Sequence, residues 1–336
     1  MKTTAFFPIL LTLWAPLTAQ TSLVTATQTV FEHLTGQEGI SLTLEFDLTA
    51  FVSNKKENDY FPAVLKTADG ISYPVEIKAR GRFRRMKAEI PPLKIRFEKD
   101  DLITRGFAGF NEIKVALPME NDAKHNELIV KEYLAYRMFE QVTDTGIRAR
   151  LVKLAIRDIK KDRSAPQVYS AILMEDEEEA AARLGGTLVE KFGLTTQQLD
   201  VQQAALVALF QYMIGNADWG FDMQRNIRFV QLPGEGKIMA LPYDFDFSGL
   251  VNAPYASVSS GTGLQTVRDR ILMAGDLPDA AIHAARETLI ERKAAIFAVC
   301  HSTFIAKNTT NQMIRYLDRF FDKIEKEREL PVVMRY

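Results

Sequence analysis

The sequence contains little cysteine and little histidine, and both shortages narrow the range of possible sites. Cys300 is the one cysteine among 336 residues, so no disulfide can form within the chain. The four histidines show no spacing typical of metal ligands, which argues against a zinc site: His33, His125, His283 and His301. We therefore expect a fold that is stabilised by its hydrophobic core alone.

Neither one sign of charge nor a long apolar run dominates the rest of the chain. The 42 basic residues nearly balance the 43 acidic ones, and the formal net charge is −1. This balance gives no electrostatic reason to expect binding to nucleic acid or to an anionic membrane surface. Beyond the first twenty residues, no stretch approaches the roughly 20 apolar residues of a membrane helix. The sequence therefore predicts a mature protein that does not span a membrane and is soluble.

The first twenty residues have the layout of a secretory signal peptide. Lys2 precedes an apolar run over residues 5–17, and small residues follow at Thr18 and Ala19. Pro8 and Pro16 would interrupt a buried helix, which disfavours that alternative. We expect residues 1–19 to be removed, so that the mature chain begins near Gln20 and the protein is secreted or periplasmic.

Apolar patterning divides the remaining chain into a β-rich part over residues 20–175 and an α-rich part over residues 176–336. Alternation over residues 41–97 predicts several strands, and a helix is predicted over residues 122–141 with Asp122 as its N-cap. Helical periodicity returns over residues 195–214 and 277–326, with a strand pair between them. This order predicts an α+β fold with two lobes, a β-rich N-terminal one and an α-rich C-terminal one.

Acidic and amide side chains are concentrated around the predicted strand pair. A helix ends at Gly215, and the loop after it presents Asp218. The chain enters a strand at Asn226, turns, and leaves the second strand at Asp244, with Asp246 two residues further on. Because a hairpin holds its two ends together, we expect these side chains to converge.

This set of groups is the one that phosphoryl transfer needs. One carboxylate accepts the proton of the attacking hydroxyl, while an amide and a second carboxylate hold Mg²⁺, which prefers oxygen ligands. Asp218 would be the catalytic carboxylate, and Asn226 and Asp244 would be metal ligands. Asp246 faces the same side of an extended chain as Asp244, so it is a further candidate ligand. Two alternatives stay open: Asp218 could be an ordinary turn residue, and the same carboxylates could serve a metal-dependent hydrolase.

The motifs around these residues resemble those of the CotH family, which are spore-coat-type atypical kinases. The resemblance is carried by Gly-Asn-Ala-Asp-Trp at residues 215–219, by Asn226, and by Pro-Tyr-Asp-Phe-Asp-Phe-Ser at residues 242–248. It extends more loosely to Arg80-Gly81, to the strand that contains Lys94, and to residues 169–175. In all it covers roughly residues 77–250. The resemblance implies a two-lobed, protein-kinase-like fold.

The resemblance also implies roles for residues outside the acidic motif. Lys94 would neutralise the phosphates of ATP, and the backbone at Met174 and Glu175 would border the adenine. The sequence departs from kinases in having no glycine-rich phosphate loop and a longer gap between Asp218 and Asn226. Arg80 and Arg82 could cover the phosphates instead, since they open a cluster that also contains Arg84 and Arg85. Glu132 is a candidate partner for Lys94.

These expectations combine into one leading function and one rival. The leading one is an exported CotH-like kinase that uses ATP and Mg²⁺ to phosphorylate a protein or another hydroxyl-bearing acceptor. The rival is a secreted binding or structural protein that retains the fold without catalysis, and export favours it because ATP is scarce outside the cytoplasm.

Overall fold

Seven strands form a closed barrel in the order β1-β2-β3-β4-β5-β7-β6. The structure is a computed structural model that describes residues 28–161, 165–234 and 236–326. The predicted signal peptide at residues 1–19 and its cleavage point lie outside the described residues. The barrel strands are β1 (Ser41–Phe46), β2 (Phe61–Thr67), β3 (Ser72–Ala79), β4 (Leu93–Phe97), β5 (Glu112–Ala116), β6 (Ala149–Asp158) and β7 (Gln167–Glu175).

The alternation of the strands places their apolar side chains inside the barrel. In β4, Leu93, Ile95 and Phe97 are buried, whereas Lys94 and Arg96 face outward. The inward side chains of the other strands join them in one continuous core that includes Leu44, Leu65, Ile77, Val115, Leu154 and Leu173.

The predicted two-lobed, protein-kinase-like α+β fold was wrong. Strand β1 pairs antiparallel with β2 on one side and parallel with β6 on the other, from Ser41 opposite Lys153 to Phe46 opposite Asp158. This pairing joins the two ends of the sheet and closes it. The predicted strand pair after the barrel is present, and a third strand joins it to form a second sheet. The division of the chain into residues 20–175 and residues 176–336 stays a prediction.

The second sheet has three antiparallel strands in the order β10-β9-β8. These are β8 (Thr187–Val189), β9 (Ile227–Gln231) and β10 (Ile238–Pro242). The helices are α1 (Val30–Leu34), α2 (Leu48–Ser53), α3 (Phe83–Lys87), α4 (Lys99–Thr104), α5 (Ala123–Glu140), α6 (Glu177–Arg183), α7 (Val201–Ile214), α8 (Asp279–Val299) and α9 (Lys307–Lys326), with a short 3₁₀ helix at Thr196–Gln198. In the part of the chain that the structure describes, no helix is long and apolar enough to cross a membrane.

Helices α5 and α7 bring the barrel and the small sheet together. Helix α5 begins after Asp122, whose carboxylate accepts a hydrogen bond from the His125 N–H, and it packs against β6 and β7. Helix α7 packs against β10 and ends at Gly215, which has a left-handed φ of 64°. Buried side chains of both helices belong to one core with β9, β10, α8 and α9.

Two glycines allow the end of α7 to approach the segment that follows β10. The Gly249 N–H donates to the Gly215 carbonyl at 2.9 Å, and the Leu250 N–H donates to the Ile214 carbonyl at 3.0 Å. A Cβ atom at Gly249 would lie 2.7 Å from the Val267 carbonyl oxygen and would overlap the Tyr316 hydroxyl. Because Gly249 has no side chain, the segment that follows β10 can lie in contact with the loop after α7.

We predict that Gly249→Ala lowers the free energy of unfolding by about 1–3 kcal/mol, the usual cost of inserting a methyl group into a close-packed site. Gly36→Ala is the control, because a Cβ atom there would lie 3.8 Å from its nearest neighbour, the Glu32 carbonyl oxygen. Urea denaturation should show a change within about 0.5 kcal/mol for Gly36→Ala. Equal unfolding midpoints for the two variants would show that this contact does not limit the packing.

Candidate active site

The hairpin of β9 and β10 brings Asp218, Asn226 and Asp244 together. Asn226 directly precedes β9 and Asp244 follows β10, and the Tyr243 N–H donates to the Asn226 carbonyl at 3.0 Å. The Asn226 amide nitrogen donates to the Asp218 carbonyl at 2.7 Å and to the Asp218 carboxylate at 3.1 Å. Side chains from the loop after α7 and from the two ends of the hairpin therefore form one cluster.

The backbone of this cluster is held in an unusual conformation. Gln224, Asn226 and Asp244 have φ values of 49°, 53° and 62°, which non-glycine residues rarely adopt. Among the described residues, Asn252 is the one other non-glycine residue with a positive φ. Such conformations persist where the surrounding structure holds them, and they concentrate at functional sites. Their clustering here supports a functional role for this region.

Asp218 has the surroundings of a proton acceptor. Burial raises the pKa of the Asp218 carboxyl, and the nearby Asp244 carboxylate raises it further. Arg225, whose guanidinium lies 3.6 Å from the Asp218 carboxylate, and the hydrogen bond from Asn226 oppose this increase in pKa. A carboxylate with a raised pKa is better matched to accept a proton from a hydroxyl group near neutral pH.

The buried Arg84 guanidinium contacts three carboxylates. It donates two hydrogen bonds to Glu132 of α5, at 3.0 and 3.2 Å, and one to Asp244 at 2.7 Å. Its Nε atom lies 3.3 Å from the Asp246 carboxylate. A short helix of the barrel region, α3, is therefore joined to α5 and to the segment that follows β10.

The charge of this cluster depends on how many of the three carboxylates are ionised. If all three carboxylates are ionised, one guanidinium leaves two negative charges uncompensated. Burial raises the pKa values of Glu132 and Asp246, and the Arg84 charge opposes this shift. The Asp244 side chain is 39% exposed, whereas those of Glu132 and Asp246 are buried. Asp244 is therefore the member of the cluster that a second cation can reach.

Asp244 and Asn226 carry oxygen atoms of the kind that magnesium binds. The Asn226 amide nitrogen is directed at Asp218, and no donor from the described residues is directed at the Asn226 amide oxygen. A carboxylate oxygen and an amide oxygen are hard ligands, and Mg²⁺ prefers such ligands. The third predicted ligand, Asp246, is buried against Arg84, so its carboxylate is less exposed to solvent than that of Asp244.

A small pocket lies beside Tyr243, and we call it the cationic cavity. Three cations contribute to its lining, together with two acidic residues and three apolar or aromatic ones: Arg80, Lys114, Arg228, Glu175, Glu177, Ile147, Met174 and Tyr243. The guanidinium of Arg228 lies 4.6 Å from the centre of the Tyr243 ring. Arg228 also forms an ion pair with Glu177 at 2.8 Å, so part of the positive charge of this lining is compensated within the protein.

Lys114 is the buried cation of this cavity, and the sequence did not single it out. It forms ion pairs with Glu177 and, at 3.4 Å, with Asp176. Burial lowers the pKa of Lys114 to about 7, although Asp176 opposes the shift. Lys114 lies opposite Lys94 in the register of β4 and β5. The alternation of residues along β5 predicts that Lys114 lies on the outer face of the barrel. It does not indicate that Lys114 lines the cavity.

Lys94 lies next to this cavity without lining it. Its ammonium group forms an ion pair with Glu112 on the outer face of the barrel. Glu132, the candidate partner of Lys94, is bound by Arg84 instead. The sequence identified the face of β4 that carries Lys94, but strand order decides which lysine reaches the cavity.

The other residues assigned to nucleotide binding lie in different surroundings. Arg80 lines the cationic cavity, whereas Arg82 is exposed at the start of α3. Glu175 also lines the cavity, but its carboxylate accepts hydrogen bonds from Arg183 and from the Arg148 N–H. These bonds join β7 to α6 and give the Glu175 carboxylate a structural role.

No protein-family model matches this chain, and a search of curated proteins found no match either.

We predict that Arg84→Met lowers the free energy of unfolding by about 3 kcal/mol or more, because it leaves buried carboxylates without their partner. The loss should be larger at pH 8 than at pH 5. Without Arg84, the folded-state pKa values of Glu132 and Asp246 lie further above their unfolded values, so stability falls as pH rises.

Arg85→Met is the matched control, since Arg85 donates to the backbone carbonyls of residues 55–57 and not to carboxylates. Urea denaturation at both pH values should show a smaller loss for this variant, without the pH dependence. If the two variants behave alike, the carboxylates are compensated by another group.

Proposed function

We propose that this protein is a phosphotransferase that uses Mg²⁺ and ATP to phosphorylate a hydroxyl group of a protein or another acceptor. The observation that carries the proposal is the convergence of Asp218, Asn226 and Asp244 beside the cationic cavity. The resemblance of residues 215–219 and 242–248 to motifs of the CotH family supports the same activity. The proposal does not depend on a protein-kinase-like fold.

The residues around the cationic cavity would contact the nucleotide. Arg80, Lys114 and Arg228 would contact the phosphates, since charge-assisted bonds to phosphate oxygens are stronger than neutral ones. Ile147 and Met174 would contact the base through their apolar side chains. Because Tyr243 precedes Asp244 in the chain, phosphates bound in this cavity would lie next to the acidic cluster.

The acidic cluster would supply the groups that react. Asp218 would accept the proton of the attacking hydroxyl group, and its raised pKa favours this role. Asp244 and Asn226 would hold Mg²⁺, which neutralises charge on the phosphate oxygens when it is bound. Arg84 would fix the orientation of the Asp244 carboxylate through the 2.7 Å hydrogen bond.

We predict that Asp218→Asn lowers the rate of phosphate transfer by about 10²–10⁴-fold, the usual effect of losing a positioned base. The amide has nearly the same shape, so folding and nucleotide binding should be retained. Asp222→Asn is the control, because Asp222 is an exposed carboxylate in the same loop. Transfer from labelled ATP to a mixture of proteins and peptides measures the rates.

Asp244→Asn should instead raise the concentration of Mg²⁺ that is needed for half-maximal transfer, because a ligand of a hard cation is lost. If the wild type transfers no phosphate and Mg-ATP leaves its melting temperature unchanged, the proposal is wrong and a binding role without catalysis takes its place.

The pKa of Lys114 predicts how nucleotide affinity depends on pH. Bound phosphates favour the charged form of Lys114, which exists mainly below pH 7 in the free protein. Affinity for Mg-ATP should therefore fall between pH 7 and pH 9, by up to about tenfold per unit for one linked proton. Calorimetric titration across this range should show the decrease.

Lys114→Met should bind Mg-ATP more weakly at pH 7 and should lose this decrease. Lys78→Met is the control, since Lys78 lies on the same outer face, two strands away, and does not line the cavity. A wild-type affinity that is constant from pH 7 to pH 9 would exclude Lys114 as a phosphate ligand.

A further inference from the structure

Three arginines lie close to Tyr316 of α9. The guanidinium of Arg270 lies 3.7 Å from the centre of the Tyr316 ring, and that of Arg268 lies 4.6 Å from it. Arg319 follows Tyr316 by three residues, so the two side chains share one face of α9. Burial raises the pKa of the Tyr316 hydroxyl, and the positive charges of Arg270, Arg268 and Arg319 oppose this shift. We call these four residues the tyrosine–arginine cluster.

In the described part of the chain, no carboxylate forms an ion pair with the arginines of this cluster. The charge of Asp269 reaches Tyr316, but the Asp269 carboxylate accepts hydrogen bonds from two backbone N–H groups at 2.9 and 2.7 Å. The other arginines that lie over tyrosine rings each pair with a carboxylate: Arg96 with Glu76, Arg105 with Asp101 and Arg228 with Glu177. The tyrosine–arginine cluster therefore differs from them in having no acidic partner.

The hydrogen bonds that these arginines make leave their charge uncompensated. Arg270 donates to the Met213 carbonyl at 3.1 Å, near the end of α7, and to the Tyr316 carbonyl at 2.6 Å. Burial lowers the pKa of the Arg270 guanidinium, and the charges of Arg319 and Arg268 lower it further. The Arg268 guanidinium is half-buried and donates no hydrogen bond to any residue that the structure describes. Its N–H groups are therefore available to a ligand.

Lys131 of α5 adds a further positive charge near Arg268. The Lys131 ammonium group is buried and donates to the Val251 carbonyl, which is a neutral acceptor. Burial lowers the pKa of Lys131 to about 8, and the Arg268 charge lowers it further, whereas Glu127 opposes the shift. Positive charge from α5 and from α9 therefore meets at Arg268, and a bound anion would relieve the repulsion between these groups.

We propose that the tyrosine–arginine cluster binds a phosphate group, which is supplied by inorganic phosphate or by a small phosphate monoester. Arg268 and Arg319 would donate to the phosphate oxygens, since the planar guanidinium matches their geometry and forms charge-assisted bonds with them. Arg270 would keep its bonds to the two carbonyls and contribute its charge.

The charge of the cluster selects this class of ligand. A phosphate carries nearly two negative charges at neutral pH and compensates more of the positive charge than a carboxylate does. The cluster shares no residue with the cationic cavity or with the acidic cluster. The inference therefore goes beyond the proposed phosphotransferase function and does not depend on it.

Calorimetric titration of the full chain with inorganic phosphate, at constant ionic strength, tests this inference. The wild type should bind phosphate more tightly than acetate, which carries one charge. Arg268→Met and Arg319→Met should each raise the Kd for phosphate about tenfold or more, the usual effect of losing a hydrogen bond between charged groups. Arg292→Met is the matched control, because it removes the same charge from the exposed surface of α8 and should leave the Kd unchanged.

Arg319 is exposed, so Arg319→Met should fold even if Arg268→Met does not. A titration with glycerol phosphate distinguishes the two sources of the ligand. Tighter binding than that of inorganic phosphate indicates a monoester, and equal or weaker binding indicates the free ion.

The inference is wrong if the wild type binds no phosphate at millimolar concentrations, or if a variant that folds keeps the wild-type Kd. It is also wrong if Lys114→Met, rather than Arg319→Met, abolishes phosphate binding, because the phosphate then binds at the cationic cavity.

Discussion

The rest of the candidate site depends on the contacts of the Arg84 guanidinium. Arg84 lies on α3 beside the barrel, Glu132 lies on α5, and Asp244 and Asp246 follow the small sheet. One buried cation thus joins three parts of the chain that are distant in sequence. Burial of these charges is costly, and a less polar cluster would stabilise the fold as well or better. A ligand that binds these carboxylates would give the cluster a role beyond stability.

Tyr243 lines the cationic cavity and directly precedes Asp244, which belongs to the acidic cluster. In the proposed function, this cavity would attract the phosphates of the nucleotide. A divalent cation at Asp244 would compensate negative charge of the carboxylates and would be shared with the phosphates.

Local patterns predicted more of this site than of the fold. The hairpin of β9 and β10 was visible in the sequence, and it is the reason that Asp218, Asn226 and Asp244 could be grouped in advance. Closure of the barrel could not be predicted, because it depends on the pairing of Ser41 with Lys153, which are remote in the chain. Strand order likewise decided that Lys114 and not Lys94 lines the cationic cavity. Nothing in the sequence indicated the role of Arg84 beyond its presence in an arginine-rich turn. The partners of Arg84 are remote in the chain, so only long-range packing brings them together.

The most direct test of this account is a calorimetric titration of the wild-type protein with a non-hydrolysable ATP analogue, with and without Mg²⁺. If the acidic cluster and the cationic cavity hold a metal–nucleotide complex, Mg²⁺ should strengthen binding at least tenfold, or by about 1.4 kcal/mol. Without Mg²⁺, the negative charge around Asp244 should repel the terminal phosphate. Equal affinities in the two titrations, or no binding in either, would contradict the account.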